Sequence, residues 1–214
     1  MRIFTILLLA FPIILFTACG GNDEPKDEEK IDVKKNPLGA LMKMSKNMQE
    51  NAKKMEKNME ERKDAKAIHY EELMKYLPKS IDGYTQKNEP KGASMDMTGM
   101  SYSSAEVKFE NNNGDRISVA LIDYNAAYSM YSMSTAMWAS GFKIDTSEEI
   151  GQSISLGDNI NGWESYKKKR KNASVMLGIG NRFLLTIEGG NQENCDFLKD
   201  IAKSMELDKL ASLD

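Results

Sequence analysis

The sequence predicts an α+β domain in which an antiparallel sheet is packed with helices, preceded by a disordered tether and a long charged helix. Two observations predict this class. From residue 68 onward, segments with strand alternation and segments with helical spacing follow in the order strands, helix, strands, helix. Residues 20–67, in contrast, are rich in charge and poor in large apolar side chains other than methionine.

Residues 19–36 are predicted to be a flexible tether. Ile31 and Val33 are its only large apolar residues after Cys19, too few to offset the entropy of ordering the chain. The tether is expected to hold the domain away from the N-terminal segment.

Residues 37–67 are predicted to form a helix, because Lys, Glu, Met and Ala dominate and all favour helices. One apolar stripe runs along it: Leu41, Met44, Met48, Ala52, Met55 and Met59. Three interpretations stay open. The segment is a solvated stalk, a helix that binds a partner or itself through residues 40–66, or a membrane-surface helix.

The globular domain, residues 68–214, is predicted to begin with a short helix that Pro78 ends. A turn at Asp82-Gly83 and an edge strand over residues 84–91 follow. The clearest hairpin pairs residues 101–110 with 116–124, because both alternate and an Asn-Gly step lies between them.

The second half of the domain is predicted to contain a helix between a cap at Asn125 and a stop at Gly141. A final helix starts near Gln192, with Cys195 on its apolar stripe. Between the two helices lie four predicted strands: residues 152–156, 161–168, 174–180 and 183–188.

Composition narrows the function classes. The formal net charge is −3, which gives no general attraction for nucleic acid, so no nucleic-acid partner is predicted. The sequence contains neither a Gly-x-Ser-x-Gly, Cys-x-x-Cys or HExxH motif nor a phosphate-binding loop. His69 and Cys195 are predicted to be structural, so neither catalytic residues nor a cofactor are assigned.

The N-terminus carries the strongest signal. Arg2 precedes an apolar run of residues 3–16, and small residues Thr17 and Ala18 lead to Cys19. The run is shorter than the roughly 20 residues that a membrane-spanning helix needs. Residues 1–21 resemble the signal peptide and lipobox of a bacterial lipoprotein, with Phe16 where Leu is usual. An ordinary secretory signal cleaved near Ala18 is the alternative.

The resemblance implies cleavage after residue 18 and lipid attachment at Cys19, as a diacylglyceryl group with a further acyl chain such as palmitate. It implies a cell-envelope protein held in the membrane by that lipid. Gly20 stands where Asp would favour inner-membrane retention, so the outer membrane is expected. Asp23 and Glu24 resemble surface-export signals, and both the periplasmic face and the cell surface stay open.

The element order over residues 68–210 loosely resembles the PsbP-like fold, without a shared motif. The cluster Met95, Met97 and Met100 offers thioethers, which suit Cu(I), although Met also replaces Leu in cores and loops. Residues 167–171 form a basic run that is predicted to cap a hairpin, either as a solvated loop or as a contact for acidic envelope groups.

The predicted function is that of a non-enzymatic binding or accessory module for a protein or envelope component. A periplasmic Cu(I)-binding protein and an enzyme with active-site residues scattered along the chain are the alternatives.

Overall fold

The computed structural model describes residues 53, 57, 66–97, 100–125, 131, 138, 141 and 143–213. All of them belong to the unit Lys46–Asp214. The predicted signal peptide, the tether and most of the charged helix lie outside the described residues. Within that helix, Lys53 and Lys57 are helical and exposed, whereas Lys66 and Ala67, predicted to be its last two residues, are not helical.

The described part of the chain forms a nine-stranded sheet in which every paired neighbour is antiparallel. The spatial order is β1-β3-β4-β9-β8-β7-β6-β5, and β2 pairs beside β1 on the same edge of β3. The strands are β1 Thr85–Gln86, β2 Lys91–Met97, β3 Met100–Glu110, β4 Arg116–Asp123, β5 Lys143–Asp145, β6 Glu149–Gly157, β7 Ile160–Lys167, β8 Asn172–Ile179 and β9 Phe183–Gly189.

One face of the sheet forms the core, because alternate residues of the central strands are apolar and fully buried. Val107 of β3, Val119 of β4 and Ile187 of β9 lie on this face in register with one another. The same face continues across β8 through Val175, which pairs with Ile187.

Three short described helices add to this core: α1 Tyr70–Met74, α2 Asp196–Ser204 and α3 Leu207–Ala211. They contribute Leu73, Leu198 and Leu210, each 0% exposed. The predicted antiparallel sheet is therefore confirmed. The sheet dominates the described residues more than the prediction expected, because these helices span only one to three turns.

The hairpin of β3 and β4, the four strands of the second half and the helix after Gln192 all form where the sequence predicts them. The predicted edge strand over residues 84–91 is wrong in extent. Within it, Thr85–Gln86 pair with β3, Tyr84 forms an isolated bridge with Ile81, and pairing with β3 resumes as β2 at Lys91, directly after Pro90. Proline lacks the N–H that a continuous ladder needs.

Three elements escaped the sequence analysis: β2, β5 and α3. All seven residues of β2 are exposed, so it carries no alternation of buried and exposed positions. Its strand conformation comes from pairing with β3. Most of the predicted helix between Asn125 and Gly141 lies outside the described residues, although Tyr131 is helical and buried there.

Candidate functional site

A buried ion pair closes the end of the sheet where β4 meets β9. Asp123 is 0% exposed and Arg182 is 2% exposed. The guanidinium donates to both carboxylate oxygens, Nε to Oδ1 at 3.0 Å and Nη2 to Oδ2 at 2.8 Å. It also lies over the ring of Phe183, 4.7 Å from the centroid. This paired, fully enclosed carboxylate is placed to hold structure and has no open side for a substrate.

The same carboxylate anchors the residues just before α1. Its Oδ2 accepts the N–H of Ile68 at 2.9 Å. Nearby, the side-chain amide of Asn125 donates to the carbonyl of Lys66, and the N–H of Ala67 donates to Ser101 Oγ, each at 2.9 Å. Residues 66–68, at the end of the predicted charged helix, are thus fixed to the sheet through partly buried polar contacts.

A groove of about 550 Å³ lies between β6 and α2. Its strand side is formed by Ile154, Ser155 and Leu156. Its helix side carries charges of both signs: Asp196, Lys199, Asp200 and Lys203. These four follow the spacing of three and four residues that places side chains on one helix face. The groove therefore joins apolar side chains on one side to an ordered row of charges on the other.

The charges of the groove are held by ion pairs. Lys199 Nζ lies 3.0 Å from Glu164 Oε2 and 2.9 Å from Asp196. Burial acts to lower the pKa of Lys199, but the hydrogen bonds that Lys199 donates to Asp196 and Glu164 outweigh it, and the pKa is raised overall. Lys203 pairs with Asp200 at 3.2 Å. Lys199 therefore stays protonated at neutral pH and serves as a fixed cation, not as a base.

Two residues singled out by the sequence, Cys195 and His69, have side chains that are capable of catalysis. Both make structural contacts. Cys195 is buried, and burial, with the negative charge of Glu164, raises its pKa to about 11. Its thiol donates to the carbonyl of Ser165 at 3.2 Å. His69 is the N-cap of α1 and its Nδ1 accepts the N–H of Glu71 at 3.5 Å. Cys195 and His69 do not lie together at one site.

The methionine cluster lies on the hairpin of β2 and β3. Met95 and Met97 are 44% and 56% exposed and are the exposed large hydrophobic residues among those described. Being two residues apart in one strand, they point to the same face of the sheet. Met100 lies opposite Met97 in the ladder. The register therefore groups the three positions that the sequence singled out.

The basic run, residues 167–171, connects β7 to β8 as predicted. Two of its lysines are paired with acidic residues near the start of β6, at the end of β5 and in the connection between the two strands. Lys168 lies 2.8 Å from Asp145, and Lys169 lies 3.0 Å from Glu148. These exposed pairs weaken the interpretation of the run as a contact for acidic envelope groups.

Sequence reasoning did not find the groove or the buried ion pair. The partners Asp123 and Arg182 are 59 residues apart, and nothing local relates them. A signal for the groove was present in the alternation of acid and base at Asp196, Lys199, Asp200 and Lys203. The sequence did not show that β6 lies beside this helix face, because only the fold brings the two elements together.

Among the described residues, no three His, Cys, Asp or Glu side chains are grouped as metal ligands. Within the same residues, no helix has both the length and the apolar character to cross a membrane. Neither a protein family, a curated protein nor a solved structure matches the chain. The resemblance to the PsbP-like fold therefore stays a prediction.

Proposed function

We propose that this chain is a lipid-anchored lipoprotein of the cell envelope, a non-enzymatic module that binds a protein partner. Its domain is of the α+β class, with helices packed on an antiparallel sheet. The observation that carries the binding proposal is the groove between β6 and α2, with its apolar strand side and charged helix side. Such a combination of apolar contacts with a few placed polar groups is typical of recognition sites.

The groove favours a polypeptide over a small apolar ligand. Its wall carries two cations and two anions, and desolvating these charges against an apolar molecule would cost free energy. A polypeptide segment can offer apolar side chains to Ile154 and Leu156 and charges of both signs to α2. A bulge between Ser155 and Gly157 interrupts the β6 ladder, so contacts through side chains suit this edge better than an added strand.

The anchor is proposed from Cys19 and the residues before it. Two lipid signals make attachment to a membrane stable, whereas one acyl chain binds marginally. In its native cell, Cys19→Ser is expected to move the protein from the membrane fraction to the soluble fraction. Mass spectrometry of the unaltered protein is expected to show acyl chains on Cys19 and no residues before it. A bare cysteine, or a retained signal segment, would contradict the anchor.

The groove is tested in the full-length, membrane-bound protein. A photoreactive amino acid at Leu156, whose side chain shares the α2 side of β6 with that of Ile154, is expected to crosslink one defined envelope protein in native cells. Exchanging the charges of Asp200 and Lys203 preserves a pair but inverts its order, and should abolish that crosslink. The matched control exchanges Glu206 and Lys209, a similar exposed pair outside the groove. Equal crosslinking by both charge exchanges would contradict binding in the groove.

The predicted helix at residues 40–66 is a second surface for an envelope partner. Deleting residues 40–66 is expected to remove proteins that co-purify with the membrane-bound chain, while the domain keeps its unfolding transition. Identical co-purification before and after the deletion would assign the partner to the domain alone.

The register of the β2–β3 hairpin also favours the alternative of Cu(I) binding. Met95 and Met97 share an exposed face, and Met100 lies opposite Met97. Thioether ligands select Cu(I) over harder metals. Titration with Cu(I) against a competing chelator is expected to show one bound ion per chain, and none after Met95→Leu with Met97→Leu. Uptake that the double variant leaves unchanged would end this alternative.

A further inference from the structure

The two edges of the sheet are not equally protected. At one edge, β5 is only three residues long, and the exposed remainder of β6 carries a bulge. At the other edge, β2 has seven residues, all exposed, that pair with β3 in an unbroken register. Short strands and bulges are the devices that normally prevent edge-to-edge association. Strand β2 has neither, although it carries two charged residues, Lys91 and Asp96, and the Asp96 carboxylate is paired with Lys66 at 2.9 Å.

The backbone groups of β2 that face outward can be identified. The N–H of Lys87 donates to the carbonyl of Lys108, so the even-numbered residues of β3 direct their backbone groups toward β1 and β2. Their partners in β2 are odd-numbered. Because backbone direction alternates along a strand, the N–H and C=O groups of Gly92, Ser94 and Asp96 point away from β3.

We propose that β2 pairs with β2 of a second copy of this chain, antiparallel and centred on Ser94. This register places Ser94 opposite Ser94 of the partner subunit, and Gly92 opposite Asp96 of the partner subunit. Each such pair exchanges two backbone hydrogen bonds. The two-fold axis at Ser94 makes the interface closed, so association stops at a dimer.

The side chains favour a second copy over a foreign strand. In this register, exposed Met95 lies opposite Ala93 of the partner subunit, and Met97 lies opposite Lys91 of the partner subunit. Each methionine thus gains a small residue or an aliphatic stem to cover its exposed side chain. On the other face, Asp96 meets a glycine. At each of these positions, a longer side chain therefore lies opposite a glycine, an alanine or the flexible side chain of a lysine.

Helix α1 packs on the face of β2 to which the side chain of Ser94 and a Cβ on Gly92 point. A Cβ on Gly92 would come within 2.6 Å of the Tyr70 side chain, so α1 lies directly over β2. Ser94 Oγ accepts the N–H of Tyr70 at 3.0 Å, which holds the helix over the strand. The inference does not depend on the groove between β6 and α2, nor on the lipid at Cys19.

The first test is disulfide crosslinking of the full-length protein in its native membrane. In the proposed register, Ser94→Cys faces its own copy at a Cα separation of about 5.5 Å, within reach of a disulfide. Ala93→Cys is offset from its copy by about 8 Å, beyond that reach. Native Cys195 is buried with a raised pKa and should not compete.

Mild oxidation is expected to give covalent dimers of Ser94→Cys and not of Ala93→Cys. Ala93→Cys and Met95→Cys should crosslink only when the two variants are coexpressed, because these positions lie opposite each other. Purely monomeric Ser94→Cys would overturn the proposal. So would equal yields at positions 93 and 94, which indicate random collision, or a Ser94→Cys crosslink to a different protein alone.

A second variant tests the backbone hydrogen bonds without a new cysteine. Asp96→Pro removes an N–H that faces outward and does not pair with β3, so the domain should keep its fold. Asp96→Ala removes the same side chain and keeps the N–H. By analytical ultracentrifugation in detergent, Asp96→Pro is expected to raise the dimer Kd roughly tenfold or more relative to Asp96→Ala. Equal dissociation constants would count against strand pairing.

Discussion

Replacing Asp123 by Asn is expected to destabilise the domain by about 3–5 kcal/mol, the usual cost of removing one partner from a buried ion pair. The carboxylate is fully buried, and Arg182 donates two hydrogen bonds to it at 3.0 and 2.8 Å. The amide keeps the shape of the side chain but removes its charge. The guanidinium, 2% exposed, then stays buried after losing the charge of Asp123.

The hydrogen-bond count supports a cost of this size. Besides Arg182, the carboxylate accepts the N–H groups of Ile68 and Asn125, at 2.9 and 3.0 Å. An amide has one acceptor oxygen where the carboxylate has two, so at least one buried donor loses its partner. Each such donor costs about 1–3 kcal/mol. Total stabilities are typically about 5–15 kcal/mol, so the variant should lose a large fraction of its stability.

Urea unfolding, followed by tryptophan fluorescence, measures this free energy. Asp145→Asn is the control, because it breaks an exposed ion pair with Lys168 and should change stability far less. A double variant, Asp123→Asn with Arg182→Met, also removes the buried cation and keeps an acceptor oxygen for the N–H groups of Ile68 and Asn125, so it should be more stable than Asp123→Asn alone. The reasoning would be refuted if Asp123→Asn matched the control, or if the double variant were the less stable of the two.

Three further outcomes are expected. Gly162→Ala should cost about 1–3 kcal/mol or more in urea unfolding, because its Cβ would come within 1.9 Å of a backbone carbonyl in β8, while Gly190→Ala meets nothing and serves as control. Cys195, with a pKa of about 11, should resist a thiol reagent at neutral pH until the protein unfolds; rapid labelling of the folded protein would contradict its burial. The pKa of Glu110 is lowered, chiefly by a hydrogen bond from Lys87. The ionised carboxylate therefore stabilises the folded state at pH values above the ordinary pKa of a glutamate, and this stabilisation is lost as pH falls through the lowered pKa. Lys87→Met should therefore flatten the fall in stability between neutral and acidic pH, and unchanged unfolding curves would show that the pair contributes nothing.

Local patterns predicted the central hairpin because both of its strands have one buried face. Ile117, Val119 and Leu121 alternate with half-buried residues along β4, and the Asn-Gly turn sets the register. The same logic identified the stripe of α2, where Leu198 and Ala202 are fully buried. Alternation failed for β2, because a strand exposed along its whole length has no buried face to reveal it.

The candidate site was less accessible to sequence reasoning. The groove needs Leu156 of β6 beside Lys203 of α2, and the chain between them passes through three strands. Its charge row was visible, but exposed acid and base at helical spacing also occur on ordinary solvated helices. The methionine cluster was visible as well, and its grouping on one hairpin required the pairing of Met97 with Met100.

The sequence by itself determined the strands and helices that bury one face, since such burial imposes a period of two or 3.6 that can be read along the chain. It also supplies the proposed anchor at Cys19, because that signal is contiguous. Only the tertiary structure decided which charges are buried together, such as Asp123 with Arg182, and which strands lie at the edges of the described sheet. Those features depend on contacts between residues far apart in the chain, and no local periodicity encodes such contacts.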